Sequence, residues 1–177
     1  MRVARVAVTV GLLVLGAGAV GAMRAATRLD RLHVRTDAAW AALDAALCRR
    51  ARVVRGAEGS AALRRAVDAA LLAGSDAALR TGAAGREEVE NELGRVLAIL
   101  DRRGLEPARA GRLADAEQRV VIARRVYNDA VRDTLALRSH RMVRWLRLAG
   151  TAAAPRYFEI AEPESSHDGL ELDGAGA

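Results

Sequence analysis

Several residue types are scarce in this 177-residue chain, and each scarcity excludes a class of protein. The single cysteine, Cys48, excludes an internal disulfide. Three separated histidines, His33, His140 and His167, match no standard zinc pattern, so no metal or other cofactor is expected. Aromatic residues make up only 3% and lysine is missing, whereas alanine, leucine, valine and arginine abound. This composition favours helices over sheets, and the length favours one domain.

The charge is distributed unevenly along the chain. The chain has 28 arginines and no lysine, and no arginine follows Arg156. Residues 1–158 therefore carry a net charge of +12, while residues 159–177 hold six acids and form an acidic tail that we expect to be disordered. A basic body can indicate a nucleic-acid binder, but an arginine-only set is also typical of GC-rich coding. No RNA-binding aromatic pair, basic zipper or zinc finger is present, so no nucleic-acid partner is expected.

An uncharged apolar run occupies residues 6–23, after a short flank at residues 1–5. As a helix of 18 residues it spans about 27 Å, close to the hydrocarbon thickness of a bilayer. Arginines bound it on both sides, and their number does not decide which side of the membrane carries the rest of the chain. The run predicts a single-pass protein of the cell membrane. Small residues spaced by four, such as Ala17 and Gly21, also leave oligomerisation open.

The N-terminus also fits two other patterns. A cleavable signal peptide is the first, since Arg2 and Arg5 precede the run and Val20-Gly21-Ala22 resembles a cleavage site. The run is longer than a usual signal core, however, and basic residues resume directly after it. The second is a dinucleotide site, because residues 16–21 fit the pattern G-x-G-x-x-G. That fold needs alternating strands and helices, whereas everything downstream has helical spacing.

Residues 24–158 show three helical apolar stripes. The first continues from the apolar run, and Ser60 is placed to cap a further segment. A glycine-rich stretch at residues 73–86 is predicted as a loop, and Pro107 is placed where a helix can begin. The spacing predicts an all-α fold, an antiparallel three- to four-helix bundle with an N-terminal transmembrane helix. The stripes are Leu29, Leu32, Thr36, Trp40, Leu43, Leu47, Ala51 and Val54; Val89, Leu93, Val96 and Leu100; and Leu113, Ala116, Val120, Ala123, Tyr127, Val131, Thr134 and Leu137.

Several short motifs, in order along the chain, resemble the LemA family. They are Ala39-Trp40 with Leu43-Asp44 and Arg49-Arg50, Asn91-Glu92-Leu93, Arg125-Val126-Tyr127-Asn128, and Tyr157-Phe158. The family elements usually found after Arg50, and the Phe-Pro usually found after Leu137, are missing, which indicates a divergent member. The resemblance implies a membrane-tethered helical bundle of the bacterial envelope with no accepted catalytic chemistry.

One segment near the end of the bundle is a candidate lipid contact. Arg138, Arg141, Arg144 and Arg147 recur every third residue, and Trp145 lies among the apolar residues between them. As a helix this segment has a basic face and an apolar face, a surface suited to anionic headgroups. The alternative is that its apolar residues close the end of the bundle while the arginines face water.

Individual reactive residues do not form a recognisable catalytic site. Tyr127 is expected in the core with its hydroxyl at the rim, and Asn128 is expected to hydrogen-bond a neighbouring helix. Cys48 is expected to be inert, and Ser139-His140 has no supporting acid. The acids Glu87, Glu88, Glu90 and Glu92 are expected to form a solvated helix start. No catalytic residue is predicted.

The function predicted from the sequence is therefore an interaction role. We expect a membrane-anchored scaffold or interaction partner at the envelope, in contact with the lipid bilayer and with a protein partner. A secreted or membrane-bound small hydrolase is the alternative. A binder of anionic lipid or nucleic acid is the weaker one.

Overall fold

The computed structural model describes residues 2–55, 60–74, 82–146, 148–150 and 153–161, and these ranges are mostly helical and contain no strand. The predicted all-α fold is confirmed. The described residues form five helices, and a 3₁₀ turn at Arg102–Gly104 precedes the fourth. The helices are α1 (Arg2–Val54), α2 (Ala61–Ala73), α3 (Gly82–Ala98), α4 (Pro107–Ser139) and α5 (Arg141–Trp145).

Helix α1 joins the apolar run to the bundle without a break. Its 53 residues correspond to about 80 Å of helix. Residues 22–54 contain no glycine or proline, so nothing in the backbone interrupts the helix where the two parts meet. Among the described residues, one helix near the N-terminus is long and apolar enough to cross a membrane, and none of its most apolar window is buried. The described side chains of the apolar run from Thr9 to Val20 are exposed, so this part of α1 projects from the bundle as an apolar rod.

Helix α4 packs antiparallel along the remainder of α1. Trp40 of α1 contacts the ring of Tyr127 on α4, and four residues earlier Thr36 faces Thr134, seven residues later on α4. The two threonine hydroxyls are buried and lie 3.0 Å apart. The Thr36 hydroxyl also donates to the carbonyl of Leu32 on its own helix at 2.9 Å, and its contact with Thr134 adds a buried polar pair that favours one register of the two helices.

Helices α2 and α3 form a hairpin at the end of the bundle far from the apolar run. Ser60 caps α2 as predicted, because its hydroxyl accepts a hydrogen bond from the backbone N–H of Leu63. Arg86, early in α3, donates to the carbonyl of Ala70, late in α2, and Leu63 at the start of α2 shares a buried cluster with Leu97 at the end of α3, so the two helices are antiparallel. The four longer helices alternate in direction, which is the predicted bundle.

Three apolar clusters fill the bundle from one end to the other. The predicted stripe of α4 is buried at every position except Ala123, which is half-buried. Near the apolar run the cluster consists of Leu29, Leu137 and Val143. The central cluster contains Ala39, Leu43, Leu47, Val120, Tyr127, Ala130, Val131 and Phe158. The far cluster contains Ala51, Val54, Leu63, Ala66, Val67, Ala70, Leu93, Val96, Leu97 and Leu113.

Three boundaries differ from those expected. Helix α3 begins at Gly82, so residues 82–86 are helical instead of loop, and residues 75–81 of that loop lie outside the described residues. Helix α4 ends at Ser139, because His140 takes an extended backbone conformation with a ψ of 133°. At the C-terminus residues 159–161 still contact the bundle, whereas the rest of the predicted tail lies outside the described residues.

Candidate functional site

A groove of about 840 Å³ runs along the seam between α1 and α4. On the α1 side the floor of the groove is lined by alanines, whose side chains are single methyl groups and extend only a short way from the helix. On the α4 side the larger side chains of Ile122 and Val126 project further, and 51% and 48% of their surfaces are exposed. Large exposed aliphatic side chains beside a low floor form the kind of groove that receives an amphipathic helix. The other apolar lining residues are Ala42, Ala45, Ala46, Val53 and Ala123.

The rim of this groove is basic. Arg49 and Arg52 line its α1 side and Arg119 lines its α4 side, and all three are exposed. Arg119 pairs with Asp115 one turn earlier, with Nε 2.9 Å from Oδ2. This hydrogen bond holds the pKa of the Asp115 carboxyl below its ordinary value, and Arg49 adds an attraction of the same sign. With one acid against three arginines, the rim attracts negative charge.

The C-terminal segment, residues 153–161, is held against the bundle by an aromatic cluster. The side chain of Phe158 is fully buried, with the ring of Trp40 5.6 Å away. Tyr127 lies in the core and its hydroxyl donates to the carbonyl of Arg156 at 2.9 Å. Burial raises the pKa of the Tyr127 hydroxyl above its ordinary value, and the charges of Glu87 and Asp37 raise it further.

Polar side chains complete the attachment of this segment. The side chain of Asn128 hydrogen-bonds both backbone groups of Phe158. Its Oδ1 accepts from the Phe158 N–H at 2.9 Å, and its Nδ2 donates to the Phe158 carbonyl at 3.2 Å. The side chain thus replaces the partner strand that an extended segment needs. On α3, Glu87 and Asn91 accept from the N–H groups of residues 159 and 161. Asn128 therefore binds the C-terminal segment, and the expectation that it joins a neighbouring helix is wrong.

A buried ionic cluster connects α1 with the start of α3. The carboxylate of Glu90, which is only 1% exposed, accepts a hydrogen bond from Arg50 Nη2 at 2.7 Å and forms an ion pair with Arg86 Nη2 at 3.0 Å. Arg86 also lies 3.2 Å from the half-buried Asp44. Both arginines are buried, so two positive charges are balanced by two negative ones in a place with little water. The expectation that Glu90 belongs to a solvated helix start is wrong, because α3 turns this residue into the bundle.

Cys48 lies beside this cluster and is buried. Arg86 Nη2 donates to its sulfur at 3.6 Å, and Gly74, which directly follows α2, lies against the sulfur. A Cβ at Gly74 would overlap the Cys48 sulfur. The φ of Gly74 is −87°, an ordinary value, so the close approach of the sulfur and not the backbone conformation requires glycine here.

The five predicted lipid-contact residues do not lie on one helix. Arg138 belongs to α4 and its guanidinium donates to the carbonyl of Ala153 at 3.3 Å, turned towards the C-terminal segment. Arg141, Arg144 and Trp145 lie on α5 and are exposed, whereas Arg147 lies outside the described residues. Val143 closes the end of the bundle, as the alternative expects, whereas Trp145 is 84% exposed, and the lipid contact stays a prediction.

The residues considered for catalysis are not brought together. His140 is exposed at the junction of α4 and α5, and the neighbouring Ser139 hydroxyl donates to the carbonyl of Ala136. Cys48 faces α2 and α3, further along the bundle. Across the part of the chain that the structure describes, no three His, Cys, Asp or Glu side chains gather as metal ligands would.

The groove and the ionic cluster were not predicted from the sequence. A signal for the cluster exists: Arg86, Glu90, Leu93 and Leu97 follow one another at steps of four and three, so the two charges continue an apolar stripe. The groove has a weaker signal, the alanines of α1 next to Arg49 and Arg52. No family model, curated protein or solved structure matches the chain.

Proposed function

We propose that this chain is a membrane-anchored interaction protein, a divergent LemA-like bundle that binds an acidic amphipathic helix of a partner protein. The observation that carries the proposal is the groove between α1 and α4, with exposed Ile122 and Val126 above an alanine floor and arginines on its rim. An apolar stripe on the partner fills the floor, and acidic residues flanking that stripe meet Arg49, Arg52 and Arg119.

The anchor in this proposal is the apolar rod at the start of α1. Its described side chains from Thr9 to Val20 are exposed and it lies within a helix long and apolar enough to cross a membrane. The bundle is then tethered to a membrane of the bacterial envelope and binds the partner helix there. Extraction of membranes with alkaline carbonate tests this part, because an integral anchor keeps the chain in the pellet and a cleaved signal peptide releases a shortened chain.

The groove is tested by its affinity for a designed probe. The probe is a fluorescent 21-residue amphipathic helix with a leucine and alanine face flanked by glutamates, and the protein is the full chain in nonionic detergent. We expect binding by fluorescence anisotropy, and at least about tenfold weaker binding by the Arg49→Glu/Arg52→Glu variant, since like charges at a rim oppose association. A probe with lysine in place of glutamate is the matched control and should not bind.

The same groove can be tested in cells with a photo-crosslinking amino acid at Ile122. Ile99 is the matched control position, because it is also an exposed isoleucine but lies outside the groove. We expect a discrete adduct from Ile122, none from Ile99, and loss of the adduct when Arg49 and Arg52 are reversed to glutamate. Equal binding of the acidic and the basic probe, together with an adduct insensitive to charge reversal, would contradict the proposal.

A further inference from the structure

Helix α5 lies beside the place where the apolar rod ends. Val143 packs in one cluster with Leu29 of α1 and Leu137 of α4. The side chain of Met142 approaches Gly21, since its Sδ and Cε lie 3.9 Å from the position of a Cβ on that glycine. Gly21 precedes the last residue of the apolar run by two positions, or about 3 Å of helix axis. If the rod crosses a bilayer, α5 is therefore at the level of the headgroups.

The length of the rod brings α5 closer still to the membrane. The run of 18 uncharged residues covers about 27 Å, whereas an average hydrocarbon core is about 30 Å thick. A short span is accommodated by local thinning and by drawing its flanking residues towards the interface. The parts of the bundle next to residues 21–24 are drawn towards the headgroups as well.

The side chains that α5 exposes suit this position. Trp145 is 84% exposed, and Met142 and Leu146 are each 40% exposed. The packing at this end of the bundle therefore leaves these apolar side chains in contact with their surroundings. Indole rings favour the membrane interface, where the ring enters the acyl boundary and the N–H stays hydrated. We call the exposed residues Arg141, Met142, Arg144, Trp145 and Leu146 the α5 surface.

The charges around the α5 surface are mainly positive. Arg141 and Arg144 belong to it, and α1 contributes further exposed arginines at the same level, with one exposed acid, Asp30, among them. Each arginine near an anionic membrane surface adds attraction that decays within a Debye length. The arginines of α1 at this level are Arg24, Arg28 and Arg31.

We infer that the α5 surface binds the face of an anionic phospholipid bilayer from which the bundle emerges, with Trp145 in the interface and Arg141 and Arg144 on the headgroups. The inference rests on the membrane anchoring proposed above. It adds a second, lipid-dependent contact that fixes how the bundle stands on the membrane.

Fluorescence quenching tests the inference on the full chain in proteoliposomes. The Trp40→Phe variant leaves Trp145 as the single tryptophan. Vesicles contain phosphatidylcholine brominated near the glycerol backbone, with or without about 30% phosphatidylglycerol. We expect quenching of Trp145 by about twofold in the anionic vesicles, and loss of more than half of it in the Arg141→Gln/Arg144→Gln variant. The matched control is Trp145→Phe, where the half-buried Trp40, packed against Tyr127 and Phe158, should show no lipid quenching.

The design separates failure of the inference from failure of the anchor. Vesicle flotation is measured on the same samples. Chains that float with Trp145 emitting as a water-exposed indole would overturn the α5 inference and leave the anchor in place. A blue-shifted but unquenched Trp145, covered by a second copy of the chain, would overturn it too. Chains that do not float would overturn both. A second form of the test retains Trp40. In the variant Cys48→Ser/Trp145→Cys a spin label is attached at residue 145, and its contact with lipid is measured.

Discussion

The substitution Glu90→Gln tests whether the buried ionic cluster holds α3 to α1. Glu90 is 1% exposed and contacts two buried arginines, so the change removes the central negative charge while keeping the shape of the side chain. Arg50 and Arg86 are then left with the half-buried Asp44. Breaking a buried ion pair from one side costs about 3–5 kcal/mol, and the remaining amide oxygen recovers about 1 kcal/mol as an acceptor. We expect the free energy of unfolding to fall by about 3 kcal/mol.

Urea denaturation of the full chain in nonionic detergent measures this loss. The Trp145→Phe background leaves Trp40 as the only tryptophan, and its contact with Tyr127 makes its emission report on the bundle. Urea is chosen because it carries no charge that would screen the ion pairs. The control is Glu92→Gln, since Glu92 pairs with Arg95 at the exposed surface and its loss should change stability by less than about 0.5 kcal/mol.

A second variant separates charge from packing. In Arg50→Met/Glu90→Leu both members of the closest pair become apolar, and Arg86 keeps Asp44 and the Ala70 carbonyl. Replacing both partners is often neutral, so this variant should recover about 2 kcal/mol relative to Glu90→Gln. A loss for Glu90→Gln no greater than that of the surface control would refute the reasoning.

Three further changes have defined outcomes in the same denaturation assay. Gly74→Ala should destabilise the fold by about 1–3 kcal/mol, because the new methyl overlaps the Cys48 sulfur, and adding Cys48→Ala should reverse most of the loss. Asn128→Leu should cost about 2 kcal/mol, since the N–H and carbonyl of Phe158 lose their partner, and an unchanged stability would show that water replaces the amide. Because burial raises the pKa of Tyr127 in the folded state, its contribution is complete below the unfolded value near 10 and is lost as the pH rises through the higher folded value. The free energy of unfolding should therefore decline above about pH 10, and Tyr127→Phe should flatten that decline.

The long amphipathic helices could be predicted residue by residue. In α4 the stripe from Leu113 to Leu137 is buried nearly as the spacing of three and four requires. The cap at Ser60 and the start of α4 at Pro107 follow from local chemistry that needs no tertiary information. These features depend only on residues within a few positions of one another.

Features that depend on distant contacts could not be predicted in this way. Glycines at 82 and 85 disfavour a helix, yet α3 begins at Gly82, where Arg86 reaches the carbonyl of Ala70. The segment after Ser139 keeps helical spacing, and nothing in its own residues signals the break at His140. Val143 instead packs on α1, so tertiary contacts outweigh the local pattern. Charges inside the bundle were missed because an isolated charge is usually solvated.

The continuity of α1 has a mechanical consequence for a tethered bundle. A flexible linker would let the domain swivel independently of its anchor, but here one helix of 53 residues serves both parts. Under the proposed anchoring, a 20° tilt of the intramembrane part is carried into the 31 residues of α1 beyond it, about 46 Å, and moves the distal pole sideways by about 16 Å. A change in bilayer thickness that alters this tilt therefore also changes the position of the partner-binding groove relative to the membrane surface.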